Sequence, residues 1–340
     1  MNQFDHLKIT TWLTETTKAT TTEIIAIKKL SGGALNENWL FSLNFNGGHL
    51  NGKKELVVRT AATDRLSQSL SIQQQYKILQ VVHAKQILVP KVFLLAPNDI
   101  VSAGPAIFME LMRGTAEPSF VCQEASMKNS PSQMVKILGQ QLGRLHNITP
   151  AAVKLKFLTI PKLPLILTKL RAFQAQLKIL PFPLPLLEWS IRWLMKNAPA
   201  EQSLSLSHGD FRTGNLMFNQ NLLTGILDWE FASWSDPLED IGWLCARCWR
   251  YGNDNDRVGG IGPLNDFITS YQSVAKLTPD WSVLAYWEIL ATVRWAIIAH
   301  QQGLRTSKNS QKNLELVLTG QKADEIEYDI LIQIKSFGTK

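Results

Sequence analysis

A chain of 340 residues with 45% hydrophobic and 19% charged residues has the balance of an ordinary globular protein, which argues against disorder and leaves room for two lobes. The net charge of +7 comes from scattered Lys and Arg, with Lys28-Lys29 and Lys53-Lys54 the only basic doublets, so no basic stripe interleaved with aromatics points to a nucleic-acid partner. The start, MNQFDHLKITTWLTETT, lacks the apolar core of a signal peptide, and no run of about 18 apolar residues is read, so a cytoplasmic protein without a membrane partner is expected.

The first third reads as strands with one helix. Lys28 to Leu30 leads into Ser31-Gly32-Gly33, after which Trp39, Phe41, Leu43 and Phe45 alternate with period two, as on a half-buried strand. An Asn46-Gly47-Gly48 turn returns the chain through Leu56-Val57-Val58-Arg59. Such an order can lay a glycine loop over a nucleotide's phosphates, although a plain hairpin connection reads the same way. Residues 65–84 read as a helix, Val89-Pro90 as the start of a strand that ends before Ala96-Pro97, and Ala106 to Leu111 as a strand running into Arg113-Gly114. The Thr-rich start and the end beyond Ser336 read as frayed.

Helices dominate after that point. Met134, Ile137, Leu138, Leu142 and Leu145 recur at helical spacing, ending at Leu145-His146-Asn147. Prolines at 161, 164, 181, 183 and 185 exclude one continuous helix through residues 160–186, which read as an insertion beside a substrate cleft or as a connector. Cys122, Cys245 and Cys248 are an odd count and make no disulfide framework. Cys245-Ala-Arg-Cys248 has no second pair or nearby His to complete a zinc site. Nine of the eleven tryptophans follow residue 188; most are expected in the core, a few in an acceptor pocket.

Residues 208–228 carry the chemistry. Phosphoryl transfer to a hydroxyl needs a carboxylate to receive the hydroxyl proton, and an amide oxygen and a second carboxylate to hold magnesium on the phosphates. Asp210, Asn215 and Asp228 supply these in order. Leu216-Met217-Phe218, a polar Asn219-Gln220-Asn221 turn and Leu223 to Leu227 form an expected hairpin. A turn centred between Asn221 and Leu222 would set Asn215 and Asp228 opposite each other as ligands of one hard cation.

HGDFRTGNLMF and GILDWEFASWSDPLEDIGWL resemble the aminoglycoside phosphotransferase and choline kinase superfamily, in particular the branch related to the kinase domain fused to some acyl-CoA dehydrogenases. The resemblance runs from about Leu30 to about Gln302. It implies an α+β, protein-kinase-like fold, with a sheet-rich N-lobe over residues 1–112, a mainly helical C-lobe over 113–340, and ATP with Mg2+ in the cleft between them. It implies Asp210 as the catalytic residue, Asn215 and Asp228 as magnesium ligands, and His208 and Asp240 as supports of the catalytic loop. Gly32, Gly33, Arg59 and Gln75, with backbone groups of Glu110 and Leu111, are implied for the nucleotide.

Two departures from the family's pattern bear on activity. The phosphate-facing cation of the third strand is Arg59, and the helical Glu that would pair with it is Gln75, which can accept a hydrogen bond but cannot neutralise charge. Arg247, Arg250 and Arg257, set against Asp254 and Asp256, favour an anionic acceptor, with a hydroxyacyl-CoA first. An aminoglycoside-type antibiotic kinase and a nucleotide-binding pseudokinase are the alternatives.

Overall fold

The structure, a computed structural model, describes residues 4–30, 36–61, 68–127, 131–161, 164–200, 204–308 and 314–337. The chain forms two compact units, Met1–Ala116 with Asn215–Ala232, and Glu117–Gly214 with Ser233–Lys340. The single cut anticipated after residue 112 differs from this division. Backbone bonds explain why: Thr115 and Phe218 exchange two at 2.8 Å, and Ile226 N–H donates to the Leu88 carbonyl, so the hairpin is tied to the sheet unit.

In the first unit, helix α1 (His6–Thr17) precedes strands β1 (Thr21–Lys29), β2 (Asn36–Asn46) and β3 (Gly52–Ala61), helix α2 (Ile72–Ala84), and strands β4 (Val92–Ala96) and β5 (Ala106–Glu110). The strands make one antiparallel sheet in the order β1-β2-β3-β5-β4. Trp39, Phe41, Leu43 and Phe45 all face its core, as their alternation implies, and meet Leu56, Val58 and Phe108 there. His6–Thr17, in the start expected to fray, is a helix. Asp5 caps α1 by accepting from Lys8 N–H, and Ile9 and Leu13, one turn apart, are fully buried against the sheet. The turn before β3 needs its glycines: Gly48 has φ +72°, and a Cβ there would lie 2.4 Å from the Thr17 carbonyl oxygen.

Helix α2 begins seven residues later than the sequence suggests. Ser71 and Gln74 form a reciprocal capping box, which fixes the N-terminus at Ile72. Strand β4 starts at Val92, two residues beyond Pro90, whose ring nitrogen has no N–H to pair.

The second unit contains α3 (Pro118–Met127), α4 (Pro131–His146), α5 (Leu165–Ile179), α6 (Pro185–Lys196), α7 (Pro237–Cys245), α8 (Leu264–Gln272) and α9 (Leu284–Lys308), followed by helices Leu314–Gln321 and Ala323–Phe337. A short ladder pairs Ser205–Ser207 with Ser233–Ser235. Met134, Leu138, Leu142 and Leu145 form the fully buried stripe of α4. The proline-rich stretch resolves into two helices, with Pro164 preceding α5 and Pro185 opening α6, positions where a missing N–H costs nothing.

Against the expectation of no long apolar run, Trp281–Leu304 is long and apolar enough by length and composition to cross a membrane. It is mostly buried, and its Glu288 pairs with Arg250 and Arg257. The α+β organisation expected from the sequence is the one observed.

Candidate active site

The hairpin runs Leu216–Asn219 and Leu222–Ile226, with Asn219 opposite Leu222 and Leu216 opposite Ile226. Gln220 and Asn221 form the two-residue turn in left-handed conformations, at φ 50° and 67°. The turn therefore centres between Gln220 and Asn221, one residue earlier than anticipated, and a bulge at Met217/Phe218 shifts the register beyond it. Leu227, not Asp228, lies opposite Asn215, its N–H donating to the Asn215 carbonyl at 2.8 Å. Asp228 follows at φ 60°, a left-handed residue two positions past the end of the strand and just before the short 3-10 turn Trp229–Phe231.

The Asp228 carboxylate meets Arg59. Arg59 Nη2 donates to Asp228 Oδ1 at 2.5 Å, its Nε to Asn38 Oδ1 at 3.0 Å, and its Nη1 to Gln75 Oε1 at 3.4 Å. Gln75 is 2% exposed and donates its own amide to the Leu70 carbonyl. The guanidinium, 7% exposed, thus takes its charge partner from Asp228, with Gln75 a longer, neutral contact. Sequence reasoning missed Asn38, although β2 and β3 put it directly across from Arg59. It also missed Glu230, a nearly buried carboxylate that accepts from Asn36 Nδ2 and whose carbonyl receives Leu70 N–H.

Gly32 and Gly33 lie outside the described residues. Glu110 ends β5 with its N–H already donating to the Lys91 carbonyl, which leaves it unavailable to a nucleotide base.

In the second unit, a buried carboxylate holds the loop that carries Asp210. Asp240, 1% exposed, accepts His208 N–H on Oδ2 at 2.7 Å and Gly209 N–H on Oδ1 at 2.9 Å. His146 Nε2 lies 3.4 Å from Oδ2, and its Nδ1 is 2.8 Å from the Tyr271 hydroxyl. Burial alone would push the Asp240 carboxyl up, but the His146 imidazole and the His208 N–H hold it below the usual carboxylate range. His208 is fully buried, and its Nδ1 accepts Asp210 N–H at 3.2 Å, so that nitrogen bears no proton and the ring acts as a brace.

Asp210 itself is half-buried. Trp243 Nε1 donates to its Oδ1 at 2.8 Å, and Arg212 Nε lies 3.3 Å from the carboxylate. Neither residue was singled out for this role. The signals were present, since Arg212 is two positions from Asp210 and Trp243 stands one helical turn after Asp240.

The arginines that favour an anionic acceptor in the sequence are occupied in the structure. Arg247 pairs with Asp254 and Asp329, Arg257 grips Glu288 with Nη2 2.8 Å from both oxygens, and Arg250 binds the Cys245 carbonyl and lies 3.6 Å from Glu288. They lock α7, α9 and the intervening loop together. Cys122 and Cys245 are buried free thiols, pushed up by burial to about 11 and about 12. No cluster of three metal-binding side chains occurs among the described residues.

Over 203 residues, 56% of this chain, the sequence is 27% identical to acyl-CoA dehydrogenase family member 10 of Mus musculus, of which it covers 18%. Over 210 residues, 57% of this chain, it is 26% identical to the probable acyl-CoA dehydrogenase IBR3 of Arabidopsis thaliana, of which it covers 25%. The chain therefore spans a quarter or less of these relatives' length. Its fold matches a Ralstonia eutropha protein assigned to the aminoglycoside phosphotransferases, with TM-score 0.73, 17% identity, and 98% and 99% of the two chains covered. It also matches a choline/ethanolamine kinase family protein of Mesorhizobium loti, with TM-score 0.56, 14% identity, and 91% and 88% covered. The streptomycin–ATP complex of the aminoglycoside phosphotransferase APH(2")-IIa matches with TM-score 0.56, 19% identity, and 88% and 91% covered. These likenesses establish the protein-kinase-like fold expected from the sequence. Residues 26–287 match the phosphotransferase enzyme family (APH), and with most of its length inside that match the chain belongs to this family of phosphotransferases acting on hydroxyl groups.

Proposed function

We propose that the chain is a small-molecule kinase that moves the terminal phosphoryl group of ATP to a hydroxyl of a small metabolite, with a hydroxyacyl-CoA as the first acceptor to test. One observation carries this reading. Asp210 is presented by a loop whose backbone is tied to the buried Asp240, and its carboxylate is oriented by the Trp243 indole. Such a rigid mounting suits a group that must receive a proton in one geometry.

In this mechanism Asp210 orients the acceptor hydroxyl and takes its proton as the acceptor oxygen bonds to the terminal phosphorus and the bond to ADP breaks. Arg59 offers the phosphates a fork of donors already fixed by Asn38, Gln75 and Asp228. The donor set fits magnesium: Asn215 and Asp228 bring hard oxygens, and a cation that keeps most of its ligands from phosphate and water needs only one or two such groups. When bound, it supplies charge neutralisation on the phosphates. The hydroxyacyl-CoA acceptor draws its support from the acyl-CoA dehydrogenase relatives, and ATP from the solved ATP complex of similar fold.

Fold likeness is equally compatible with an aminoglycoside acceptor. The Arg59–Asp228 ion pair favours a third reading, a module that binds nucleotide without turnover, because it occupies one oxygen of the proposed metal ligand. A coupled ADP-release screen with magnesium over 3-hydroxyacyl-CoAs, amino alcohols, sugars and aminoglycosides separates the three. The proposed function predicts release that requires both magnesium and a hydroxyl acceptor, largest with a hydroxyacyl-CoA. Preference for an aminoglycoside would replace it with the antibiotic reading, and nucleotide binding with no acceptor-stimulated release would replace it with the module.

A further inference from the structure

Indole faces attract cations, and a site built from several tryptophans ordinarily suits a quaternary ammonium or a polyamine. Next to Asp210 those faces are already covered by the protein's own charges. The Arg294 guanidinium lies 4.3 Å from the centroid of Trp243, and that of Arg212 lies 4.9 Å from the centroid of Trp249. Trp243, Trp249 and Trp295 pack on one another at 4.6–6.4 Å between centroids.

The backbone explains why Arg294 sits there. Trp287, Ala291 and Arg294 follow one another on one face of α9 at helical spacing. Gly242 lets α7 press against that face, since a Cβ at this position would fall 2.7 Å from the Trp287 carbonyl carbon. Trp243, the next residue, is thereby brought beneath Arg294. One ring then carries two functions, with Asp210 on its N–H edge and a guanidinium on its face.

Pairing sets Arg294 apart. Arg212, Arg247, Arg250 and Arg257 each meet a carboxylate, whereas half-buried Arg294 has no hydrogen bond or ion pair among the described residues. A guanidinium stacked in place, partly withdrawn from water and with its fork unfilled, is suited to a carboxylate or phosphate.

We propose that Arg294 is a specificity-determining residue of the acceptor site, receiving a carboxylate or phosphate of the acceptor while the acceptor hydroxyl meets Asp210. The cation-covered indoles then select against quaternary-ammonium and polycationic acceptors. This rests on the proposed function only in taking Asp210 as the base.

The test is an equilibrium titration of the intact chain without nucleotide, read by tryptophan fluorescence, with 3-hydroxybutyrate, glycerol 3-phosphate and choline as probes at fixed ionic strength. At least one of the two anions should bind, and the tighter one identifies the group as carboxylate or phosphate. Arg294→Met should weaken that binding roughly 10- to 100-fold, the range for a hydrogen bond to a charged partner, and Arg294→Lys should weaken it less. Choline should not bind the parent, in which Arg294 already covers the Trp243 face. Circular dichroism confirms that the variants are folded. Binding of choline as tight as that of the anions, anion binding unchanged in a folded Arg294→Met, or no anion binding to the parent would each overturn the inference. Because the titration needs no turnover, anion binding through Arg294 without ADP release from any acceptor would overturn the proposed function and not this inference.

Discussion

Replacing Trp243 with Phe removes one N–H and leaves an aromatic ring beneath Arg294. The lost bond is a 2.8 Å contact from the indole to the Asp210 carboxylate, and a hydrogen bond to a charged group contributes about 1.5–3 kcal/mol. If that energy holds Asp210 in its reacting orientation, turnover should fall roughly 10- to 100-fold, at about 1.4 kcal/mol per tenfold. Trp243 is 2% exposed, so trimming its ring also costs stability, about 1–3 kcal/mol as for other core truncations. Thermal unfolding measures that cost separately, and the assay temperature can be kept below the transition. Steady-state ADP release with the best acceptor then reads the catalytic effect. The expected outcome is a lower kcat with the nucleotide KM within a few-fold of the parent. An unchanged kcat in a folded Trp243→Phe protein would refute the role given to the indole.

Three further outcomes follow from the same geometry. Burial raises the Asp236 carboxyl from 3.8 to about 7, so between those values the folded chain holds a proton that the unfolded chain has released, and stability falls as pH rises through that window. Asp236→Asn, which keeps a side-chain oxygen for the α7 cap, should match the parent near pH 4 and gain up to about 4 kcal/mol above pH 7; urea melts at both pH values check this, and a pH-independent difference contradicts it. Gln75→Glu should give Arg59 a second carboxylate and loosen its hold on Asp228, tightening magnesium–ATP binding about fivefold, or roughly 1 kcal/mol; weaker binding would mean that Arg59 is better placed by the existing arrangement. Asp228→Ala should weaken nucleotide binding in the presence of magnesium far more than in its absence, and equal loss in both titrations would remove Asp228 from the metal site.

Much of the molecule was legible because it obeys local rules. The period-two run through Phe45 and the buried stripe of α4 need only a hydrophobic face and a regular backbone. The motif around Asp210 stands out because its residue types suit one reaction. The register of the hairpin was not, since a left-handed pair at Gln220 and Asn221 and a bulge two residues earlier depend on backbone detail that polar turn residues do not specify. Contacts over long sequence separations were hidden for a different reason. Arg59 reaches Asp228 across 169 positions and Trp243 reaches Asp210 across 33, and an indole that donates to a carboxylate has the same helical spacing as one that only packs. The arginines of residues 247–257 misled in the opposite direction, because their partners Glu288 and Asp329 lie on helices whose approach a local reading does not provide.

The central claim is that Asp210 receives the acceptor's proton. Asp210→Asn keeps the shape of the side chain and an oxygen for Trp243 Nε1–H, but removes the charge and the basic oxygen. Measured beside its magnesium–ATP affinity, its steady-state ADP release should fall by a factor on the order of 10² to 10⁴ while nucleotide affinity stays within a few-fold of the parent. Turnover at the parent's rate would contradict the account.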